Sequence, residues 1–226
     1  MKKSVLFLLF GALFIAAVSV LISCDSKKEV KKVGTYELTE ADGKYGLKDS
    51  TGHIVLAPEF DEIIDKAEYT AVFAKKGNLT TVVARSYEAF TAEIDSIVPS
   101  ETDNYVYVYS KDGVRLWALG SSSVIGPFTD LRLIDGIAFL NTDGKWGAAT
   151  IDHQALAPRQ YEKVYVVKNG DALAVLVKDA KGWAMFNNEG VSGGARYDTS
   201  SKILEKQIKE LKIKGDIAVI NVNWKL

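Results

Sequence analysis

The side chains able to do chemistry in this chain are few and far apart. Two histidines, His53 and His153, each follow a turn glycine by nine or ten residues, so they hold matching places in two similar segments. A histidine working as base or metal ligand needs convergent partners, and neither has a cysteine or a second histidine beside it. Solvent-facing turn residues are the expectation for both. Asp61 and Glu62 could flank a sugar bond as the paired carboxylates of a glycosidase do, yet acids return at the corresponding place as Asp95, Asp130, Glu162 and Asp198. A residue type present in every segment serves the segment rather than a single active site. The glycine-rich stretch 190–194 lacks the Lys-Ser/Thr of a phosphate loop, and Ser121, Ser122 and Ser123 have neither a G-x-S-x-G context nor a supporting histidine. The chain is therefore expected to be no enzyme and to need no cofactor or metal.

One segment is not repeated. In Tyr105-Val106-Tyr107-Val108-Tyr109 the alternation puts three tyrosines on one face of a strand and two valines on the other. With the valines inward, Tyr105, Tyr107 and Tyr109 would form an exposed ladder able to stack sugars or anchor a protein. The alternative, which the pattern favours, is a tyrosine face covered by the neighbouring segment with its hydroxyls reaching water.

The elements that must position these residues begin after an N-terminal stretch of another kind. Lys2 and Lys3 precede an apolar run over 5–21, which ends at Leu21-Ile22-Ser23-Cys24. That is a basic region, an apolar region and a short cleavage region. Leu21 and Ser23 before the only cysteine resemble the lipobox of bacterial lipoproteins, which implies cleavage before Cys24 and lipid attachment to it. The resemblance implies three parts: a signal peptide over 1–23, a lipidated cysteine with a lysine-rich tether over 24–32, and a folded body over 33–226. Loss of Lys2 and Lys3 moves the net charge from −1 to about −3, and a mildly acidic body is not built to hold nucleic acid. The competing reading is an uncleaved anchor, since the run is almost long enough to span a bilayer. Either way the body lies outside the cytoplasm. Asp25 after the cysteine resembles the inner-membrane retention signal of enteric lipoproteins, whereas charged residues there are also like those of Bacteroidota-type surface lipoproteins; outer membrane or cell surface is the favoured address, with the leaflet left open.

The body repeats a phrase. Asp42-Gly43-Lys44-Tyr45-Gly46 returns as Asp143-Gly144-Lys145-Trp146-Gly147, and aligning turn glycines adds Gly77, Gly113 and Gly182, the last within one residue. The intervals of 34, 36, 31 and 38 residues are those of solenoids, propellers and related arrays. A short apolar or alternating segment precedes each turn, and Asp-Gly at 42–43, 112–113 and 143–144 supplies the positive φ values of a two-residue hairpin turn. Tyr45, Trp146 and Trp183 are placed to fill the seam between units. Gly46 and Gly147 mark close approach of another backbone or ring. A second mark follows about fifteen residues on, as Pro58-Glu59-Phe60-Asp61 and Pro158-Arg159-Gln160-Tyr161-Glu162, with Pro127 in a shorter version. Proline cannot donate to a sheet ladder, so these belong at a strand end or edge.

Gly-Lys-Trp-Gly followed by Pro-x-Tyr/Phe-Asp-x-Ile resembles the WG repeat family, also called KWG repeats, of bacterial proteins. The resemblance covers 33–226, strongly in the first and fourth units, and implies a tandem β-repeat fold with no general catalytic activity. The second unit lacks the aromatic and second glycine, and the third carries Trp117 two places late. Spacing of Leu204, Ile208 and Leu211 predicts a helix over 200–212, followed by a strand over 217–222. The fold expected is all-β: about five hairpin units of two or three strands in a propeller-like or solenoid-like array, with one short helix near the C-terminus. The function expected is a membrane-anchored, non-enzymatic interaction module of the cell envelope with a protein or glycan partner. An envelope enzyme acting on glycan or peptide, and a purely structural repeat protein, are the alternatives.

Overall fold

The computed structural model describes residues 30–170, 172–187, 190–193, 196 and 200–222. The signal segment and Cys24 lie outside the described residues, as do Tyr197 and Asp198. From Lys32 onward the chain forms one compact unit, built from five four-stranded sheets. Unit 1 holds β1 (Lys32–Val33), β2 (Tyr36–Ala41), β3 (Lys44–Lys48) and β4 (Ile54–Phe60). Unit 2 holds β5 (Glu62–Lys66), β6 (Ala71–Lys76), β7 (Leu79–Ala84) and β8 (Tyr87–Ala92). Unit 3 holds β9 (Ile94–Pro99), β10 (Tyr105–Ser110), β11 (Gly113–Ala118) and β12 (Val124–Phe128). Unit 4 holds β13 (Asp130–Ile134), β14 (Ile137–Thr142), β15 (Lys145–Thr150) and β16 (Ala155–Tyr161). Unit 5 holds β17 (Lys163–Asn169), β18 (Ala172–Asp179), β19 (Gly182–Asn187) and β20 (Ile217–Asn221). The first four are antiparallel meanders, whereas in unit 5 β20 pairs in parallel with β17. The fold is thus an all-β tandem array of five units.

Each unit has four strands rather than two or three. The difference arises at the second mark, where Phe60 closes β4 and Glu62 already opens β5 of the next sheet. The segment after the proline therefore serves as the first strand of the following unit, and Asp61 between them is the crossover.

Alternation along the central strands puts apolar side chains on the faces that stack, and stacking buries them in four seams. Leu47 meets Val72 and Val83 between units 1 and 2, and Phe73 and Val82 meet Val108 and Trp117 between units 2 and 3. Leu116 meets Leu131 and Leu140 between units 3 and 4. Trp146 and Phe139 meet Val164 and Val177 between units 4 and 5. A fifth cluster joins Tyr165, Leu176 and Trp183 to Leu204 and Ile208 of α2 (Ser201–Glu210). The helix covers the face of unit 5 on which a sixth unit would stack. Its start is fixed by Ser200, whose hydroxyl accepts from the Ile203 amide, and by Ser201, whose hydroxyl accepts from Trp183 N at 2.7 Å. At the other end, the outer face of unit 1 carries Glu37, Thr39 and Lys48, with the Glu37–Lys48 pair at 2.8 Å. A polar outer face is what a terminal repeat needs to stay soluble.

The repeated phrase has a geometric basis. On β3 the single residue Gly46 lies opposite three residues of β4, because Tyr45 pairs with Phe60 and Leu47 with Leu56. Gly147 stands in the same way opposite residues 158–160, between the Trp146–Tyr161 and Ala148–Ala157 pairs. A Cβ at Gly46 would come within 2.7 Å of Pro58 N, and one at Gly147 within 2.6 Å of the Ala157 carbonyl oxygen. The backbone that approaches the second glycine is thus the proline-bearing bulge of the next strand in the same unit. That strand is the sheet edge, where proline costs no ladder bond.

Register corrects the sequence reading in units 3 and 5. Ser110 pairs with Gly113 and Asp179 with Gly182, so the turn residues are 111–112 and 180–181, not 112–113 or 182 itself. Neither pair has positive φ; the positive value passes to Gly113 (126°) and Gly182 (109°), the pattern of a turn followed by a G1 bulge. Trp183, paired with Lys178, therefore occupies the place of Trp146, paired with Asn141. Val114 holds that place in unit 3, so Trp117 is three residues late. An odd offset reverses the face, and Trp117 packs back on unit 2 among Tyr69, Phe73 and Phe90. The glycine-rich stretch 190–194 contains the single helical turn α1 (Gly190–Gly193).

Candidate functional site

The chemistry-bearing residues singled out by sequence are mostly engaged in holding the array together. Asp61 accepts the Gly77 amide at 2.8 Å and pairs with Lys44, so the crossover acid caps the hairpin turn of the following unit. The Lys44 ammonium, then the Gly77 amide, hold its carboxyl below the usual range. Asp130 pairs with Arg132 and Glu162 with Lys178. These acids sit at separate crossovers and do not converge, so they lack the paired geometry of a glycosidase.

The tyrosines do not form an exposed ladder. Val106 and Val108 are buried against unit 2, while Tyr105 and Tyr107 pack in the opposite seam against unit 4. The Tyr107 hydroxyl accepts from the Leu133 amide at 2.8 Å, which satisfies a donor on the free side of β13. Burial pushes the Tyr107 phenol up. Tyr109 alone is exposed, at 42%. The face is covered by the neighbouring unit, because a strand in the middle of a stack has no free side.

His53 is exposed and its Nδ1 stands 4.0 Å from Asp49. His153, at φ 73°, places Nε2 2.9 Å from the Ser123 hydroxyl of unit 3. Sequence reading found no supporting histidine for the serines because thirty residues separate the two in the chain. Both lie at the surface, and among the described residues no acid is hydrogen-bonded to the other ring nitrogen to orient it. Among the described residues no group of three or more His, Cys, Asp or Glu is arranged to hold a metal ion.

A cleft at one end of units 1 to 3 is different in kind. It has a volume of about 550 Å³, within the range of small-ligand sites. Unit 1 contributes Gly34 and Thr35, unit 2 contributes Asp65, Thr70, Arg85 and Ser86, and the β11–β12 loop closes it with Leu119 and Gly120. The cleft exists because small residues line it and because β1 is only two residues long. The Asp65 carboxylate would lie 3.7 Å from a Cβ at Gly34. Neither Asp65 nor Arg85 has a hydrogen bond or ion pair among the described residues, and the side-chain hydroxyls of Thr35 and Thr70 are likewise free.

The turn that presents Arg85 is strained. Four two-residue turns have positive φ at both positions, and three of them are Asp-Gly: 42–43, 135–136 and 143–144. The fourth is Arg85-Ser86, at 49° and 65°. Non-glycine residues there cost about 1–2 kcal/mol each. Ser86 is held by its amide donating to the Tyr36 hydroxyl at 2.8 Å, across the seam between units 1 and 2. The signal for this turn in the sequence is Arg-Ser between two strands where its counterparts carry Asp-Gly.

No protein-family model and no curated protein matches the chain. Among solved structures it is similar to a crystal structure of the eukaryotic initiation factor, at 9% identity and TM-score 0.30, over 72% of this chain and 52% of that one. It is also similar to Kluyveromyces lactis Hsv2, at 10% identity and TM-score 0.27, over 72% and 59%. A third is apo AztD from Citrobacter koseri, at 8% identity and TM-score 0.23, over 72% and 56%. The chain thus spans between 52% and 59% of the length of these three structures.

Proposed function

We propose that this chain is a non-enzymatic binding module of the bacterial cell envelope, anchored through a lipid on Cys24, whose array of WG-type repeats holds a protein or glycan partner. The observation that carries the reading is the cleft of units 1 to 3. Elsewhere the candidate chemical groups are spent on turns, crossovers and seams, and in the cleft a carboxylate, a guanidinium and two hydroxyls have no partner among the described residues. Several acyl chains would anchor durably where one binds only marginally, and the acidic balance of the body sets nucleic acid aside.

The test has two arms. Cells fed an alkyne-bearing fatty acid should label the wild-type chain in the membrane fraction, whereas Cys24→Ala should be unlabelled and released; equal labelling would overturn the anchor. In a pull-down from native envelope, a partner should be enriched with the wild type and lost with Asp65→Asn/Arg85→Ala. Enrichment unchanged by those substitutions would remove the cleft from the account.

The enzyme reading keeps one observation, the Ser123–His153 contact at 2.9 Å. It requires turnover of an activated ester that Ser123→Ala abolishes, and equal rates for the two proteins would end it.

A further inference from the structure

We infer that the cleft of units 1 to 3 takes a small dipolar ligand carrying an ammonium and a carboxylate, an amino acid or a dipeptide. This rests on reading the cleft as the binding site and adds the chemistry of what it holds. Asp65, Val72 and Val83 lie in one row across three adjacent strands, and Arg85 is two residues beyond Val83. With strands about 4.8 Å apart and a rise of about 3.3 Å per residue, the Cα atoms of Asp65 and Arg85 are about 12 Å apart. Opposite charges therefore line one cleft, are not paired with each other among the described residues, and stand close enough to grip one small molecule between them.

The remaining lining sets the rest of the specificity. Arg presents a planar fork matched to a carboxylate, and Asp65 is the only acid lining the cleft to receive an ammonium. Thr35 and Thr70 offer hydroxyls, while Ala67, Ala71 and Leu119 give an apolar floor for a small side chain. Tyr36, the one aromatic residue in the lining, is 5% exposed with its hydroxyl engaged by the Ser86 amide. No ring face is free there for a sugar to stack on, which turns the choice from a glycan toward a charged dipole. The strained Arg85-Ser86 turn holds its shape through the Tyr36 contact before any ligand arrives, the preorganisation a binding group needs.

Titration calorimetry on the purified full-length chain tests this with four probes. They are L-leucine and L-alanyl-L-alanine as zwitterions, and N-acetyl-L-leucine and L-leucine amide as single-charge controls. At least one zwitterion should bind the wild type, each single-charge control at least tenfold more weakly than L-leucine or the dipeptide. Asp65→Asn and Arg85→Ala, matched to wild type in thermal unfolding, should each weaken the zwitterion at least tenfold. Heat from neither zwitterion, equal binding of the controls, or binding that survives both substitutions overturns the proposal. Retention on native envelope then separates the two levels. If zwitterions fail but Asp65→Asn still abolishes retention, the site stands and the ligand class is wrong; if retention is also unaffected, the site itself is wrong.

Discussion

Gly147 lies against the bulge that carries Pro158: a Cβ on that glycine would meet the Ala157 carbonyl oxygen at 2.6 Å and Pro158 C at 2.9 Å. The two marks that recur along the chain are therefore two halves of one contact. Units 1 and 4 have both the glycine and the three-residue bulge. Unit 2 has neither; Thr81 replaces the glycine, pairs in register with Thr91, and shares a 2.7 Å hydroxyl contact with it. In unit 3 the halves change sides. Arg115 stands where the glycine would be, and Gly126 on the opposite strand leaves the room before Pro127. In unit 5, among the described residues, only the isolated Phe186–Arg196 bridge lies beyond β19, and Ala184 fills the place.

Trp146 should be a main source of stability. It is 8% exposed in the seam between units 4 and 5, and truncating a large buried aromatic costs about 3–5 kcal/mol. Urea unfolding of Trp146→Ala should show a loss of that size, and Tyr45→Ala, half-buried in the equivalent place of unit 1, a smaller one. A loss of a few tenths for Trp146→Ala would place the ring outside the seam.

Ser86→Gly should stabilise the protein. The residue sits at φ 65° in a turn whose three counterparts carry glycine at that position, and relieving the left-handed conformation is worth about 1 kcal/mol. The Ser86 amide keeps its bond to Tyr36 in this variant, so the turn should stay anchored across the seam. Thermal unfolding checks the sign, and a lower midpoint would show that the side chain itself is needed.

Stability should fall in acid partly through Asp112. Its carboxyl is lowered from 3.8 to about 2, first by the hydrogen bond from Arg115, whose side chain is 7% exposed. A depressed folded value means the contribution is complete above the unfolded value near 3.8 and is lost as pH falls through about 2. The carboxylate is 53% exposed, and solvent screening holds the effect to about 1 kcal/mol. Asp112→Asn should be less stable than wild type at pH 7, and the gap should close between pH 4 and about 2. A constant gap across that range would remove the ion pair as its cause.

The hairpins, the number of units and the edge position of the prolines were legible because each leaves a local trace: Asp-Gly at 42–43 and 143–144, alternation before it, and Pro58 and Pro158 after it. Register in units 3 and 5 was not, because Gly113 and Gly182 mimic a turn glycine while serving the residue after the turn. The tyrosine face could be read as an exposed ladder or, as favoured, a covered seam, because alternation fixes which side chains share a face and not what covers it. The cleft was illegible for another reason. Gly34, Arg85 and Gly120 come from three loops and Asp65 from β5, spread over three units, and only the stacking of the sheets brings them together.

The most direct measurement is the urea unfolding midpoint of Gly147→Ala. In a strand with room for a methyl group, replacing glycine by alanine stabilises by about 0.4–1 kcal/mol. Against the Pro158 bulge the same change must push backbone apart, at a cost of about 1–3 kcal/mol. The account predicts a lowered midpoint, and a midpoint that is unchanged or raised would contradict it.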